Sequence, residues 1–306
     1  MSSAQVLLGV TPTILAILGS SYTELALLNV VAKRPMLSYL LALGSPSVYM
    51  SRAFEYTDPA TLLQDRRGRL RQHAWTGWKL QLLTAGQYIV ALAAMANIAL
   101  MNWHLGIRTV CSIWSDNVIA PILWSTLTVG IHTLGSILLR LQIKRIDLSK
   151  TPSVKDAQRS NSMPEKLPKE LYRVLRKWAR TEFQSSCCQK SIHVTAFGER
   201  HIVIIFSWIL STLIVSHVIY GTIVYSSLYF IGPRDALVVV VRFMTSVLAC
   251  RIVCMFEIAG LRENIREIIL ECDVPEDRLR YWPMAEELGI RERDKHGTAV
   301  SVREVV

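Results

Sequence analysis

Familiar catalytic signatures are missing from this sequence. It has no GxxxxGK[ST] or GxGxxG phosphate loop, no GxSxG nucleophile elbow and no HExxH metal site. Its histidines do not gather into the HxxxH or HxxHH clusters of a di-iron centre. The 6 cysteines form no CxxC pair, and no Cys/His spacing suits zinc, so neither a metal nor a cofactor is expected. Charge is scarce as well: 19% of residues are Asp, Glu, Lys or Arg, against about 25% in a soluble domain. The N-terminus, Met1-Ser2-Ser3-Ala4-Gln5, lacks the positive n-region of a cleaved signal and the Arg-rich start of a mitochondrial presequence.

What the chain does have is apolar length. Of its 306 residues, 51% are hydrophobic, and they fall into long runs rather than alternating patterns. Four runs, from about Leu80 to Trp103, Asn117 to Leu139, Ile202 to Tyr229 and Ala236 to Leu261, are each long enough for ~30 Å of hydrocarbon at ~1.5 Å per residue. Trp75, Trp78, Trp103, Trp114, Tyr225 and Tyr229 stand at their ends, where aromatics suit the headgroup layer. The fold class is therefore all-α: a polytopic transmembrane helix bundle with four clear spans.

The region before Leu80 reads less simply. Gln5–Ala32 is apolar but broken at Thr11-Pro12, at Gly19-Ser20-Ser21 and at Glu24. We expect it to supply a fifth crossing, with Pro12 in a first helical turn after a Thr11 cap and Pro35–Leu43 lying as a short interfacial helix. The alternative is a re-entrant pair of short helices, which a bilayer tolerates only when buried in protein.

Lys and Arg set the orientation. Residues 33–79 hold 8, the loop 104–116 holds 1, residues 140–200 hold 14, the loop 230–235 holds 1 and the tail from Arg262 holds 8. This alternation puts the long loops and the C-terminus in the cytoplasm of an endomembrane or plasma membrane, and a crossing by Gln5–Ala32 puts the N-terminus outside. It also accounts for the net charge of +10 without nucleic acid. The chain divides into an N-terminal membrane segment with a basic loop (1–79), a hairpin (80–139), a cytoplasmic linker with a basic helix (140–200), a second hairpin (201–261) and a tail (262–306). The last span is expected to continue as helix through Leu270.

Within the loop 140–200, Leu167, Leu171, Val174, Leu175 and Trp178 recur at helical spacing. Lys169, Arg173, Arg176, Lys177 and Arg180 cover the remaining faces. Such a helix over 166–183 lies in the membrane plane against anionic headgroups, or packs on the protein's own loops. Cys187 and Cys188, next to the third span, are candidates for S-acylation.

The polar residues inside the spans carry the functional question, because charge in lipid is costly. Counted from the cytoplasmic ends, His132, Glu24 and Arg251 share a level ~10–15 Å deep, so a Glu24–Arg251 ion pair with His132 nearby is expected. These three are the candidate catalytic groups. Asn97, His217 and Arg242 form an outer level ~22–29 Å deep. Glu257 is expected near the inner interface, in contact with water.

The stretches Leu8-Gly9-Val10-Thr11-Pro12, Lys33-Arg34-Pro35 and Leu43-Gly44-Ser45-Pro46 resemble a group of fungal multi-pass membrane proteins over roughly the first 60 residues. The resemblance implies a fungal source and no activity. Three readings of function stay open. The first is a non-enzymatic scaffold, assembly or regulatory protein. The second is a small membrane enzyme, such as a cyclase, isomerase or transferase, acting on a lipophilic small molecule. The third is a transporter or channel component.

Overall fold

The computed structural model describes residues 2–49, 78–111, 119–146, 201–271, parts of 175–186, and the short stretches 192–197 and 291–292. Seven helices are described: α1 (Ser3–Leu18), α2 (Tyr22–Val30), α3 (Pro35–Gly44), α4 (Trp78–Arg108), α5 (Ala120–Gln142), α6 (His201–Ser226) and α7 (Pro233–Asn264). Within α4 to α7, four segments are long and apolar enough to cross a membrane: Gln81–Arg108, Ala120–Gln142, His201–Ser226 and Pro233–Arg262. The chain is thus a multi-pass membrane protein. The third span stops at Ser226, three residues short of the expected Tyr229. There the chain turns so that β4 (Leu228–Tyr229) pairs antiparallel with β1 (Val110–Cys111), clipping two loops together at one end of the bundle.

The N-terminal region is one bent pair: α1 and α2 meet at 50° across Gly19-Ser20-Ser21. Each half has its own capping box, Ser2 with Gln5 and Ser21 with Glu24, so two helices start where one was expected. Pro12 is not at a helix start: Ser2 is the cap and Pro12 lies inside α1, where it cannot donate to the carbonyl one turn back. Ala4, Leu8 and Leu15 pack with Cys111, Tyr225 and Ala236 near the β1–β4 clip. Leu25 to Ala32 pack with Leu139, Ile258 and Leu261 at the opposite end, where the basic loops attach. The pair therefore runs the height of the bundle.

The interfacial helix expected at Pro35–Leu43 is overturned. α3 buries Leu37, Ser38, Leu40, Leu41, Ala42 and Gly44. It is apolar on most sides and has no polar face to show to headgroups. It enters the bundle from the basic end. Gly44 sits so close to α4 and α7 that a Cβ there would lie 2.7 Å from Cys250 Sγ and 3.0 Å from Ala94 Cβ. The residues after α3 then reach the α1–α2 break. Ser47 Oγ donates to Leu15 O at 2.8 Å, and Tyr49 N donates to Ser20 O at 3.2 Å. The second bond supplies a partner for a carbonyl at the break, the condition for interrupting a helix at membrane depth; the first adds a second donor to Leu15 O, which already accepts from Gly19 N at 2.8 Å.

Off the basic end, β2 (Ile143–Ile146), β3 (Ile192–Phe197), β5 (Ile265–Glu271) and β6 (Arg291–Glu292) form a small mixed sheet. Its β5 replaces the expected helical extension of α7 through Leu270. The run Ile265-Arg-Glu-Ile-Ile-Leu-Glu carries three β-branched isoleucines, which favour a strand once the helix has left the apolar bundle.

Candidate functional site

The densest polar cluster begins at the turn from α2 to α3. Lys33 adopts left-handed backbone (φ 55°), an uncommon state for a residue with a side chain. The turn carries Arg34 inward instead of out to solvent. Arg34 and Glu257 of α7 form an ion pair, Nη1 to Oε2 2.7 Å, with both side chains 0% exposed. Arg34 Nη1 also donates to Gln87 Oε1 of α4 at 3.1 Å, and Nε donates to the Glu182 carbonyl at 3.0 Å. Its guanidinium lies 5.6 Å from the Tyr88 ring centroid, within cation–π range.

Glu257 is saturated. Its Oε1 accepts from Gln87 Nε2 at 2.6 Å and Ser185 Oγ at 2.8 Å. Its Oε2 accepts from Ser186 N at 3.1 Å and Ser186 Oγ at 2.6 Å. The expectation that Glu257 meets water fails, because residues 181–186, here called the strap, cover it. The strap brings a carboxylate of its own. Glu182 Oε1 accepts from Leu37 N, in the first turn of α3, at 3.0 Å and from Tyr88 Oη at 2.8 Å. Burial pushes the Glu182 carboxyl above its ordinary range, against the opposing pull of these hydrogen bonds and Arg34. Two buried polar atoms stay unpartnered in this cluster, Arg34 Nη2 and Glu182 Oε2.

One level deeper, Arg251 Nη1 pairs with Glu24 Oε2, joining α7 to α2 as expected from their depths. Glu24 also accepts from Ser21 N at 2.9 Å as the helix cap, so one carboxylate serves two structural tasks. The pair is 27% and 18% exposed, at the margin of the bundle. His132 does not join it by any hydrogen bond or ion pair. It is 2% exposed, both of its ring nitrogens lack a partner, and the titratable neighbour acting on its ring is His217.

At the outer level, Arg242 Nε and Nη2 both donate to Asn97 Oδ1, the former at 2.9 Å. Asn97 Nδ2 in turn donates to Ser246 Oγ at 2.7 Å. His217 stands apart from them. It stacks on Trp124 at 5.4 Å, and its Nε2 lies 2.9 Å from the Trp124 carbonyl. Tyr225, expected at the headgroup layer, is 1% exposed and belongs to the same aromatic group, its Oη donating to Asn102 Oδ1 at 2.8 Å.

No family model, curated protein or solved structure matches this chain.

The site must therefore be read from its contacts. Among the described residues, no group of three or more His, Cys, Asp or Glu is placed to hold a metal. Of the basic helix, Leu175, Arg176, Trp178 and Glu182 are helical, and Leu175 and Trp178 are 52% and 43% exposed. Lys169, Arg173, Lys177, Arg180, Cys187 and Cys188 lie outside the described residues. Sequence reasoning missed Arg34, Gln87, Tyr88 and the strap. Gln87 and Glu257 sit at similar distances from the basic ends of α4 and α7, and the depth rule used for Glu24 and Arg251 could have paired them. Nothing in the sequence marks Glu182, Ser185 or Ser186, which come from a loop far along the chain.

Proposed function

We propose that this protein is a non-enzymatic scaffold, assembly or regulatory component of an endomembrane or plasma membrane. Its long loops and C-terminus face the cytoplasm, and its buried charges hold the bundle and its strap in one arrangement. The observation that carries this reading is the Arg34–Glu257 pair. Both side chains are fully enclosed; Glu257 is bonded on both oxygens by Gln87, Ser185 and Ser186, and Arg34 commits Nη1 and Nε to Glu257, Gln87 and the Glu182 carbonyl, with Nη2 left over. A carboxylate engaged in this way is a poor acid or base toward a substrate, and the pair is a good device for fixing which elements meet. The exposed Leu175 and Trp178 support a membrane-plane role for the helix leading into the strap, with its basic side chains on anionic headgroups.

One observation favours the enzyme reading: the buried His132 ring has two unpartnered nitrogens, a natural place for a lipophilic small molecule with a polar end. Untargeted lipid and metabolite profiling separates the two. Cells lacking the protein are compared with cells carrying His132→Ala or Glu24→Gln at equal abundance. The scaffold reading expects no defined product to disappear in the variants. A single compound lost in the deletion and in either variant refutes it.

A further inference from the structure

The strap fills a socket that has the chemistry of an anion receptor. Its floor is the first turn of α3, a helix of 10 residues beginning at Pro35, whose backbone N–H groups point out of the helix end without intrahelical partners. Leu37 N already donates to a carboxylate there. One wall is Tyr88 Oη, a second donor to the same oxygen. The other wall is Arg34, whose guanidinium is fully buried and whose Nη2 has no acceptor. The group now in the socket is the Glu182 carboxylate, and its second oxygen, Oε2, is also unpartnered. A helix N-terminus, a phenol and an arginine with a spare donor make a better fit for a tetrahedral or bidentate anion than for the monodentate carboxylate it holds.

We infer that this socket is a binding site for a carboxylate- or phosphate-bearing headgroup, occupied in cis by Glu182, so that the strap is a plug which an anionic lipid displaces. The placement fits an occupant from the membrane. The socket lies at the basic end of the bundle, beside the exposed Leu175, Trp178 and Phe183 of the segment that carries the plug. The Glu182 carboxyl, raised by burial, is held at a cost that falls when the strap swings out and water enters. Arg34 Nη2, on the same edge of the guanidinium as the Nε that donates to the Glu182 carbonyl, is a donor that Glu182 leaves idle and a phosphate monoester could use. This rests on the scaffold reading only in that the site binds without transforming its ligand.

The test removes the plug and offers the anion. Wild type, Glu182→Ala and Glu182→Ala with Tyr88→Phe are placed in phosphatidylcholine nanodiscs. The discs are used alone, with phosphatidic acid, or with added inorganic phosphate or acetate. Lipid retention is read by native mass spectrometry and stability by thermal melting. If the docked strap occupies the socket nine times in ten, its removal raises apparent affinity about tenfold. Glu182→Ala should therefore retain phosphatidic acid at least about tenfold more tightly than wild type, and the added Tyr88→Phe should reverse most of the gain. Stabilisation by phosphatidic acid alone identifies a lipid headgroup, and stabilisation by soluble phosphate or acetate identifies a free anion. Equal binding by wild type and Glu182→Ala, or no binding by either, overturns the inference. Should Glu182→Ala fail to fold, Glu182→Asp keeps the acid but shortens it by one methylene, drawing it back from Leu37 N and Tyr88 Oη. Phosphatidic acid should then bind it more tightly than wild type, and an unchanged affinity overturns the inference equally. A compound lost on profiling would refute the scaffold reading and leave this result untouched.

Discussion

Glu257→Gln is the sharpest perturbation of the bundle. Glu257 meets donors on both oxygens: Gln87 Nε2 and Ser185 Oγ on one, and Arg34 Nη1, Ser186 N and Ser186 Oγ on the other. An amide has a single acceptor oxygen. If that oxygen faces Arg34 and Ser186, the new NH2 points at Gln87 and Ser185. The serine hydroxyl can rotate to accept. Gln87 can accept only by flipping, which turns its own NH2 toward the Arg34 guanidinium that its oxygen now serves. The arginine is then left in a closed site with its principal counter-charge gone. Breaking one partner of such a pair costs about 3–5 kcal/mol. Glu24→Gln disrupts a pair that is 27% and 18% exposed, and should cost about 1–2 kcal/mol, between the surface and buried cases. Melting of detergent-solubilised protein, followed by size-exclusion chromatography after heating, should place Glu257→Gln on the order of 10 °C below wild type. Glu24→Gln should fall by roughly a third of that. If Glu257→Gln melts with wild type, or falls less than Glu24→Gln, the account of the socket is wrong.

The Glu24→Arg with Arg251→Glu exchange should be more stable than either single variant, by the same melting assay; parity with the singles would remove the pair from the list of structural contacts. Gly221→Ala places a methyl against the buried Trp124 indole, 2.8 Å from Cε2. Since Trp124 is 1% exposed and cannot retreat, α5 and α6 must part, at about 1–3 kcal/mol or more. Strap docking should weaken with rising pH. The folded state holds the Glu182 proton more tightly than the unfolded chain does, so this contribution is complete below the ordinary carboxyl value and is lost as pH rises through the raised one. Hydrogen exchange over 181–186, corrected for intrinsic rate, should show less protection at about pH 8 than at about pH 5, and Glu182→Gln should flatten the difference.

Most of the membrane architecture could be read in advance, because hydrocarbon imposes length and apolarity on each span without reference to the rest of the fold. The Glu24–Arg251 pair was legible for the same reason: a rise per residue converts position into depth, and two opposite charges at one depth seek each other. Depth does not encode a change of chain direction. Lys33 and Arg34 count among the basic residues of the cytoplasmic loop, since charge after an apolar run ordinarily meets water, yet one left-handed residue sends Arg34 back inside. α3 read as interfacial from its short length, while its burial depends on a bundle that length alone does not describe. His132 was placed at the depth of Glu24 but makes no hydrogen bond with it, and depth carries no azimuth. The strap was invisible because its partners are 145 residues away in sequence for Leu37 and 71 for Glu257.

All three levels of charge converge on α7. Arg242 meets Asn97 of α4, Arg251 meets Glu24 of α2, and Glu257 meets Arg34 at the start of α3. At about 100° per residue, Arg242 and Arg251 point to opposite sides of the helix, about 180° apart, and Glu257 points about 240° further round. Glu257 thus falls about 60° from Arg242, and the helix is held from two opposite sides at three heights separated by ~13 Å and ~9 Å. Lipid gives apolar helices little reason to prefer one register over another, because a leucine packs as well against a tail as against a neighbour. A rotation of α7 that kept any one pair would turn the other two toward the wrong partners, and a slide of one turn, ~5.4 Å, would part all of them. The cost of carrying these charges in a membrane is therefore the means by which one arrangement of apolar helices is selected over its near equivalents. The strap, which closes over the lowest of the three, bonds to α3, α4 and α7 together through Leu37, Tyr88 and Glu257.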